Sequence, residues 1–180
     1  MNTLDQNIRF NARARWLHWV MAALIVLAYV LILSRKEFSR GSDPRLFVVQ
    51  SHYWVGLVLF VLVFPRLLNR RMNPPPPITP PLEVVMKWAS TATHVLLYAF
   101  LILQPVLGLL TVLLGKGNLP IPLTGLLIPS PLPVDEALAK QLEGIHKLSG
   151  EVFYYVVGLH VVAALFHHCV RKDNTLRRML

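Results

Sequence analysis

Four histidines lie in one largely apolar stretch, Leu142 to Val170, and they are the residues best suited to chemistry. They are His146, His160, His167 and His168. An imidazole inside a membrane span has no water to bond, so such residues are usually functional. At 1.5 Å per residue, the fourteen positions from His146 to His160 place these two side chains about 21 Å apart on nearly one helix face. This spacing favours side chains that hold two stacked cofactors. Interfacial or helix-bonding histidines are the alternative.

The composition indicates an all-α integral membrane protein. The chain has 180 residues, of which 54% are hydrophobic and 15% charged, which is more apolar than an ordinary soluble domain. Segments of about 17 to 25 apolar residues can cross a bilayer as helices. Four such segments occur, at about 16–33, 46–64, 88–114 and 145–170. The sequence therefore predicts a transmembrane four-helix bundle that forms a single domain over residues 1–180.

The distribution of charge predicts that both termini are cytoplasmic. A formal net charge of +9 is compatible with nucleic-acid binding, but the basic residues cluster between spans, where the positive-inside rule explains them more simply. With a cytoplasmic N-terminus, the inner segments contain eleven of the eighteen basic residues and three of the nine acidic ones. The first span is long for a signal peptide and no A-x-A-like cleavage site follows it, so we expect it to remain.

Histidines in the first two spans match those of the fourth span in depth. His18 opens the first span on the inner side, where His160 arrives once the fourth helix is threaded outside to inside. His52 lies in the outer part of the second span, at the depth of His146. Each pair, His18 with His160 and His52 with His146, could supply two axial imidazoles to one haem iron. For His18, an interfacial histidine that only forms hydrogen bonds is the alternative.

Two glycines share helix faces with the outer histidine pair. Gly56 follows His52 by four residues, and Gly150 follows His146 by four. A missing side chain there would let a flat macrocycle approach the backbone, or would let two helices pack closely. The sequence does not separate these two interpretations.

The other histidines have less defined roles. His94, in the third span, has no partner at its depth; it could bond a haem propionate, help form a quinone pocket, or compete with His18 as a ligand. His167 follows His160 by seven residues, which favours a hydrogen-bond donor to something bound beside the inner haem. His168 fits either such a role or the basic, snorkelling end of a helix.

The connections differ in character. Met72 to Pro81 reads MNPPPPITPP, which predicts a stiff non-helical inner linker. Pro105 is expected to kink the third helix. The outer loop, Gly115 to Gly144, is too interrupted by Gly and Pro for a span, and its part from Val134 to Leu142 predicts a short surface helix.

Taken together, these motifs resemble the bacterial cytochrome b561 family over nearly the whole chain. The resemblance is carried by L-H-W opening the first span, H-x-x-x-G in the second, G-L-H-x-x-x-A-L-x-H-H closing the fourth, and the K-D-N-T-L-x-R-M tail. It implies a bundle in the bacterial inner membrane with two haem b groups, whose iron ligands fall on His18, His52, His146 and His160. Because Cys169 is the only cysteine and no C-x-x-C-H motif exists, both haems would be non-covalent.

The family resemblance also implies an activity. Members of this family include proteins that oxidise superoxide near the outer face and reduce ubiquinone, and by that similarity His167 is a candidate for the quinone site. Basic outer residues would steer superoxide, although six outer acidic residues weaken this effect. The candidates are Arg35, Lys36, Arg40, Arg45, Lys116, Lys140 and Lys147.

Two further functional hypotheses remain open. No Gly-rich nucleotide fingerprint or cysteine cluster is present, so the substrates should be small, membrane-borne or proteins. The chain is alternatively an electron-transfer subunit that links the quinone pool to a partner dehydrogenase or a periplasmic redox protein. The third hypothesis is a structural membrane protein whose histidines bind nothing, or bind a metal.

Overall fold

The computed structural model describes residues 9–180, and four long helices form most of this range. They are α1 (Ala12–Ser34), α2 (Asp43–Met72), α3 (Val84–Lys116) and α4 (Glu136–Phe166). All four are long and apolar enough to cross a membrane. The predicted membrane four-helix bundle is therefore confirmed, while residues 1–8 of the predicted domain lie outside the described range.

α1, α2 and α3 extend beyond both ends of the apolar segments that predicted them, whereas α4 begins before its segment, 145–170, and ends within it at Phe166. The Asn11 side chain accepts a hydrogen bond from the Ala14 N–H at 2.8 Å and caps the start of α1. The Asp135 side chain does the same for α4, from the Leu138 N–H at 2.9 Å. Because the hydrocarbon core needs only about 20 helical residues, the polar ends of these helices continue past it.

Two prolines lie inside spans without ending them. α2 continues through Pro65 and α3 continues through Pro105. Neighbouring helices and local adjustments can satisfy the carbonyl groups that such prolines leave free in a membrane. Both spans therefore remain single helices.

The loop between α3 and α4 differs from the prediction. The expected short surface helix at Val134 to Leu142 is wrong, because the helix that begins at Glu136 runs unbroken into the fourth span. Before it lies an unpredicted antiparallel hairpin of β1 (Asn118–Pro120) and β2 (Leu127–Pro129). The Trp54 indole donates to the Pro120 carbonyl at 2.9 Å and fastens the hairpin to α2. We call this side of the bundle the hairpin end.

Consecutive helices pack side by side, α1 on α2, α2 on α3, and α3 on α4. Their antiparallel order is visible at both ends of the first pair. Asn11 before α1 bonds Asn69 near the end of α2 at 3.1 Å, while Arg45 at the start of α2 donates to the Arg35 carbonyl after α1 at 2.8 Å.

A small apolar core lies between the helices. Val63 and Met21 are almost fully buried, and Leu59, Leu101 and Phe153 join them. Many other apolar side chains face outward, and every helix has a valine more than 60% exposed: Val26, Val61, Val95 and Val162. An apolar exterior of this extent is what a lipid environment favours.

The last residues cover the other side of the bundle, which we call the tail end. The predicted non-helical linker, Met72 to Pro81, is confirmed except at Met72, which ends α2; residues 73–83 form no helix. This linker is held by the C-terminal segment: the Asn174 side chain accepts from the Thr79 N–H at 2.9 Å, and Arg178 donates to the Pro76 carbonyl. The Trp19 indole donates to the Met179 carbonyl at 2.9 Å, so the same segment reaches α1.

Candidate functional site

At the hairpin end, His52 on α2 faces His146 on α4. The two ring centres are 6.3 Å apart and the ring planes meet at 72°. Since bonds between a metal and an imidazole nitrogen are about 2 Å long, two rings at this separation can bind one metal ion from opposite sides. The structure thus brings together the two histidines that the sequence paired by depth.

Backbone carbonyls fix the proton positions of this pair. His52 Nδ1 lies 2.9 Å from the Ala28 carbonyl oxygen, and His146 Nδ1 lies 3.1 Å from that of Gln104. A carbonyl only accepts hydrogen bonds, so each Nδ1 carries the hydrogen. Each Nε2 then keeps its lone pair, which is the form that ligates a metal.

Gln104 is a site residue that the sequence reasoning missed. Its side-chain amide is buried and donates to Ser149 Oγ at 3.0 Å and to the His146 carbonyl at 3.3 Å. Together with its own carbonyl on His146 Nδ1, Gln104 holds both the backbone and the ring of that histidine. A polar side chain beside a mid-span proline was the available signal in the sequence.

A cavity of about 600 Å³ opens beside the hairpin-end pair. This volume lies in the range of cofactor pockets. Gly56 lines the cavity, and a Cβ added there would meet nothing within 4 Å. The open space in front of Gly56 suits a flat macrocycle, which supports the first of the two interpretations of this glycine.

The other glycines of the cavity serve close packing between α3 and α4. A Cβ added at Gly150 would lie 3.4 Å from Gln104 Nε2. At Gly108, which the sequence reasoning did not single out, it would lie only 3.1 Å from His146 Cε1. Helix approach therefore explains Gly150 and Gly108, whereas it does not explain Gly56.

Charged side chains line the same cavity. Among the basic residues expected to steer an anion, Arg35, Lys36 and Lys147 are part of its wall. Glu143 and Glu151 also line it, and Lys147 Nζ lies 2.5 Å from Glu143 Oε1. The cavity is thus basic, with part of that charge neutralised by its own carboxylates.

At the tail end, three histidines meet rather than two. The ring centres of His18 and His160 are 6.3 Å apart with planes at 77°, which repeats the geometry of the hairpin-end pair. His94 on α3 lies 5.7 Å from the same His160 ring. The predicted partners His18 and His160 thus lie together. His94 is close enough to form hydrogen bonds beside them or to replace His18 as the ligand.

Hydrogen bonds distinguish His18 from His94. Arg66 Nη2 lies 3.1 Å from His18 Nδ1, and because arginine only donates, that nitrogen is the acceptor here. His94 Nδ1 lies 2.6 Å from the Ser90 carbonyl and therefore carries its hydrogen. Metal binding through His18 Nε2 would require a hydrogen on Nδ1, and so a shift of Arg66.

The apolar core separates the two histidine pairs. Phe153 lies seven residues from both His146 and His160 along α4. Its ring stacks on that of Phe100, with centres 5.2 Å apart and planes at 25°. The two pairs therefore occupy different depths, with buried hydrophobic side chains between them.

The end of α4 holds a buried carboxylate that the sequence reasoning also missed. Residues His167–Arg171 form one widened helical turn, after which Asp173 Oδ2 lies 2.5 Å from His167 Nδ1. His168 Nδ1 is buried too, whereas Cys169 is exposed. A lone acidic residue in a basic tail was the signal for Asp173.

Two facing imidazoles suit a metal ion whose other ligands come from a cofactor rather than from the protein. Within residues 9–180, no group of three or more His, Cys, Asp and Glu side chains is arranged to hold a bare metal ion. Facing imidazole pairs suit an iron whose remaining ligands come from a macrocycle. The residues present therefore fit haem.

Comparisons with known proteins point to the same chemistry. The family described as prokaryotic cytochrome b561 matches residues 9–180. Cytochrome b561 homolog 1 of Escherichia coli (strain K12) is 28% identical over 96% of this chain and 97% of its own length. Probable superoxide oxidase CybB of Yersinia pestis is 32% identical over 91% of each chain. Cytochrome b561 homolog 2 of E. coli (strain K12) is 27% identical over 96% of this chain and 91% of its own length. A family match that spans all four helices shows that the chain belongs to the prokaryotic cytochrome b561 family, membrane electron-transfer proteins that bind haem b.

Proposed function

We propose that this protein is a di-haem b oxidoreductase that passes electrons from superoxide at the hairpin end to ubiquinone at the tail end. The observation that carries this proposal is the repeated geometry of the histidine pairs. Two pairs with the same 6.3 Å separation lie at two depths, and one member of each pair is on α4. A relative named a probable superoxide oxidase supports the choice of substrate.

Each pair would hold the iron of one haem b. His52 and His146 are the proposed ligands of the outer haem, and His18 and His160 those of the inner haem. His94 then stands beside the inner site as a hydrogen-bonding neighbour. The His18 separation from His160 equals that of the hairpin-end pair, whereas the His94 ring is closer, at 5.7 Å, which favours His18 as the ligand.

When bound, the two haems supply reversible one-electron chemistry. The protein's own residues do the rest. Arg35, Lys36 and Lys147 outnumber the carboxylates of Glu143 and Glu151 in the cavity wall. Their net positive charge attracts the superoxide anion. The core around Phe153 keeps water out between the two sites. At the tail end, His167 is the proposed hydrogen-bonding residue for ubiquinone.

The proposed orientation places the tail end in the cytoplasm. Both termini would then be cytoplasmic, the hairpin end would face the periplasm, and residues 1–180 would form one domain of the bacterial inner membrane. The excess of arginine and lysine at the tail end supports this orientation through the positive-inside rule. Ubiquinone, being membrane-borne, can reach His167 from the bilayer.

An electron-transfer subunit is the second candidate function. The observation that favours it is the neutralisation of basic charge by Glu143 and Glu151 at the cavity, which weakens steering of a small anion. In that case a partner dehydrogenase or a periplasmic redox protein would exchange electrons with the quinone pool through this chain.

Stopped-flow absorbance of the purified protein tests the proposal. The protein is mixed with superoxide, with and without excess ubiquinone, and the haem signal is scaled to full reduction by dithionite. We expect rapid haem reduction by superoxide and its discharge by ubiquinone. If dithionite reduces two haems while superoxide reduces neither, the electron-transfer subunit is the correct function.

A further inference from the structure

The chain turns back on itself after α4 and buries a carboxylate against His167. The widened turn His167–Arg171 is followed by Lys172 in the left-handed conformation, with φ of +57°. Because the chain reverses at this turn, the Asp173 side chain meets that of His167, six residues earlier. Widened helical turns of this kind are rare and occur often at functional sites.

Asp173 is almost completely buried, with 2% of its surface exposed. Its Oδ2 lies 2.5 Å from His167 Nδ1, and its Oδ1 accepts from the Thr175 N–H at 2.9 Å. Burial opposes ionisation of this carboxyl, but the hydrogen bonds from His167 and Thr175 outweigh it and hold the pKa of Asp173 below its ordinary value. A carboxylate is thus fixed on one side of the imidazole.

The charged groups around the His167–Asp173 pair are basic. Arg171 Nε lies 3.4 Å from Asp173 Oδ2, and the positive charge of Arg178 is near enough to interact with Asp173. In the linker and α3, these arginines donate hydrogen bonds only to neutral acceptors. Arg171 donates to the Pro81 carbonyl and to the Met86 sulfur, and Arg178 donates to the Pro76 carbonyl. Asp173 is therefore the negative partner for both His167 and Arg171.

This arrangement determines which nitrogen of His167 can act. Because the Asp173 carboxylate accepts the hydrogen on Nδ1, Nε2 is left for another partner. A carboxylate also stabilises the imidazolium form, in which Nε2 carries a hydrogen as well. His167 is two helical turns beyond His160, about 10 Å along α4, so a molecule bound beside the tail-end pair can lie near Nε2.

We propose that Asp173 is a positioning residue that holds His167 as the proton donor to ubiquinone. The inference rests on the proposed function. Reduction of ubiquinone to ubiquinol takes two electrons and two protons. Two superoxide anions supply the electrons, each being oxidised to O₂. His167 breaks its Nε2–H bond as the quinone oxygen forms an O–H bond, and water at the tail end returns the proton and supplies the second. Asp173 stays ionised throughout.

The test separates proton transfer from electron transfer in the haem-loaded protein. Haems reduced beforehand with dithionite are mixed with ubiquinone or with ferricyanide, and reoxidation is followed by absorbance at pH 7. Ferricyanide accepts an electron without a proton. The variants are Asp173→Asn, His167→Gln, the double variant, and Asp173→Glu, which keeps the carboxylate. Asn174→Ala is the matched control, because it loosens the same tail without touching His167.

We expect Asp173→Asn to slow reoxidation by ubiquinone about tenfold or more at pH 7, as for loss of a general acid. His167→Gln and the double variant should be equally slow, since the residues act as a unit. Asp173→Glu should recover part of the rate, and ferricyanide should oxidise every variant at the wild-type rate.

Two results would overturn the inference alone. One is Asp173→Asn behaving like Asn174→Ala with ubiquinone; the other is an equal loss of rate with ferricyanide, which would mean a purely structural role. A wild-type protein whose reduced haems are not reoxidised by ubiquinone would instead overturn the proposed function, and this inference with it.

Discussion

At the scale of single residues, the partner of Nδ1 decides what each histidine is prepared to do. His52 and His146 donate to backbone carbonyls and present Nε2. His18 instead accepts from Arg66. The hairpin-end pair can thus bind a metal in its present arrangement, whereas metal binding through His18 Nε2 would require Arg66 to move.

The choice between His18 and His94 can be tested by substitution. We expect His18→Ala to lose the inner haem, and His94→Ala to keep it with an altered reduction potential, because a neighbouring hydrogen-bonding group tunes rather than holds the iron. Redox titration of the haem absorbance measures both. An inner haem that survives in His18→Ala and is lost in His94→Ala would assign the ligand to His94.

Gly56 offers a test of where the macrocycle lies. Gly56→Ala adds a methyl group that meets no protein atom within 4 Å, so it should leave the apoprotein intact but lower occupancy of the outer haem by about half or more. Gly158→Ala is the matched control, since it adds the same group to an exposed position of α4 with nothing within 4 Å. Haem content per chain, measured by pyridine haemochrome, should fall only in Gly56→Ala. Equal haem content in both variants would show that the macrocycle does not lie against Gly56.

The sequence predicted which histidines meet but not what holds them. Depth along the helices was enough to pair His52 with His146, because membrane thickness restricts where residues of different spans can lie. The contacts of Gln104 and Arg66 depend on how helices rotate against one another, which periodicity in a broadly apolar span does not define. Asp173 was missed because it is brought to His167 by a turn with no clear sequence signature.

At the scale of elements, the C-terminal segment links the linker to the start of α1. Asn174 and Arg178 bond the linker, and Trp19 bonds Met179. The non-helical linker itself was predictable from its prolines. The hairpin was not, since its short strands, Asn118–Pro120 and Leu127–Pro129, contain prolines that normally argue against strands. The start of α4 was misjudged because its polar first turns resemble a separate surface helix.

The depressed pKa of Asp173 predicts an acid-sensitive tail. A carboxyl with a lowered folded pKa contributes stability that is present above its unfolded value and is lost as the pH falls through the folded value. We expect the difference in melting temperature between the wild type and Asp173→Asn to be largest from about pH 5 upward and to shrink below about pH 4. Thermal unfolding in detergent, followed by circular dichroism, measures this. A difference that is the same at pH 3 and pH 7 would contradict ionic stabilisation by Asp173.

At the scale of the whole molecule, an apolar exterior and an uneven distribution of charge give the bundle two chemically different ends. Its two histidine pairs lie toward opposite ends of the bundle. The tail end holds most of the basic residues, and the hairpin end holds the cavity. The number of spans was readable from hydropathy alone, whereas the cavity required the structure.

Cysteine labelling tests the orientation. In a Cys169→Ser background, Leu123→Cys places a thiol on the hairpin loop, where Leu123 is 86% exposed. Pro75→Cys places one on the exposed linker. We expect a membrane-impermeant maleimide, applied to spheroplasts, to label Leu123→Cys at least about tenfold faster than Pro75→Cys, because the bilayer is a barrier to charged groups. The opposite preference should appear in inverted vesicles, and the reverse result would invert the topology.

Haem stoichiometry in single histidine variants tests most directly the claim that two histidine pairs each bind one haem. The variants are His18→Ala, His52→Ala, His146→Ala and His160→Ala, with His168→Ala as a control outside both pairs. We expect each of the four to fall from about two haems per chain to about one, since an iron held by two axial imidazoles depends on both. His52→Ala and His146→Ala should lose the same spectral component, His18→Ala and His160→Ala the other, and His168→Ala neither. Retention of both haems in any of the four would contradict the pairing.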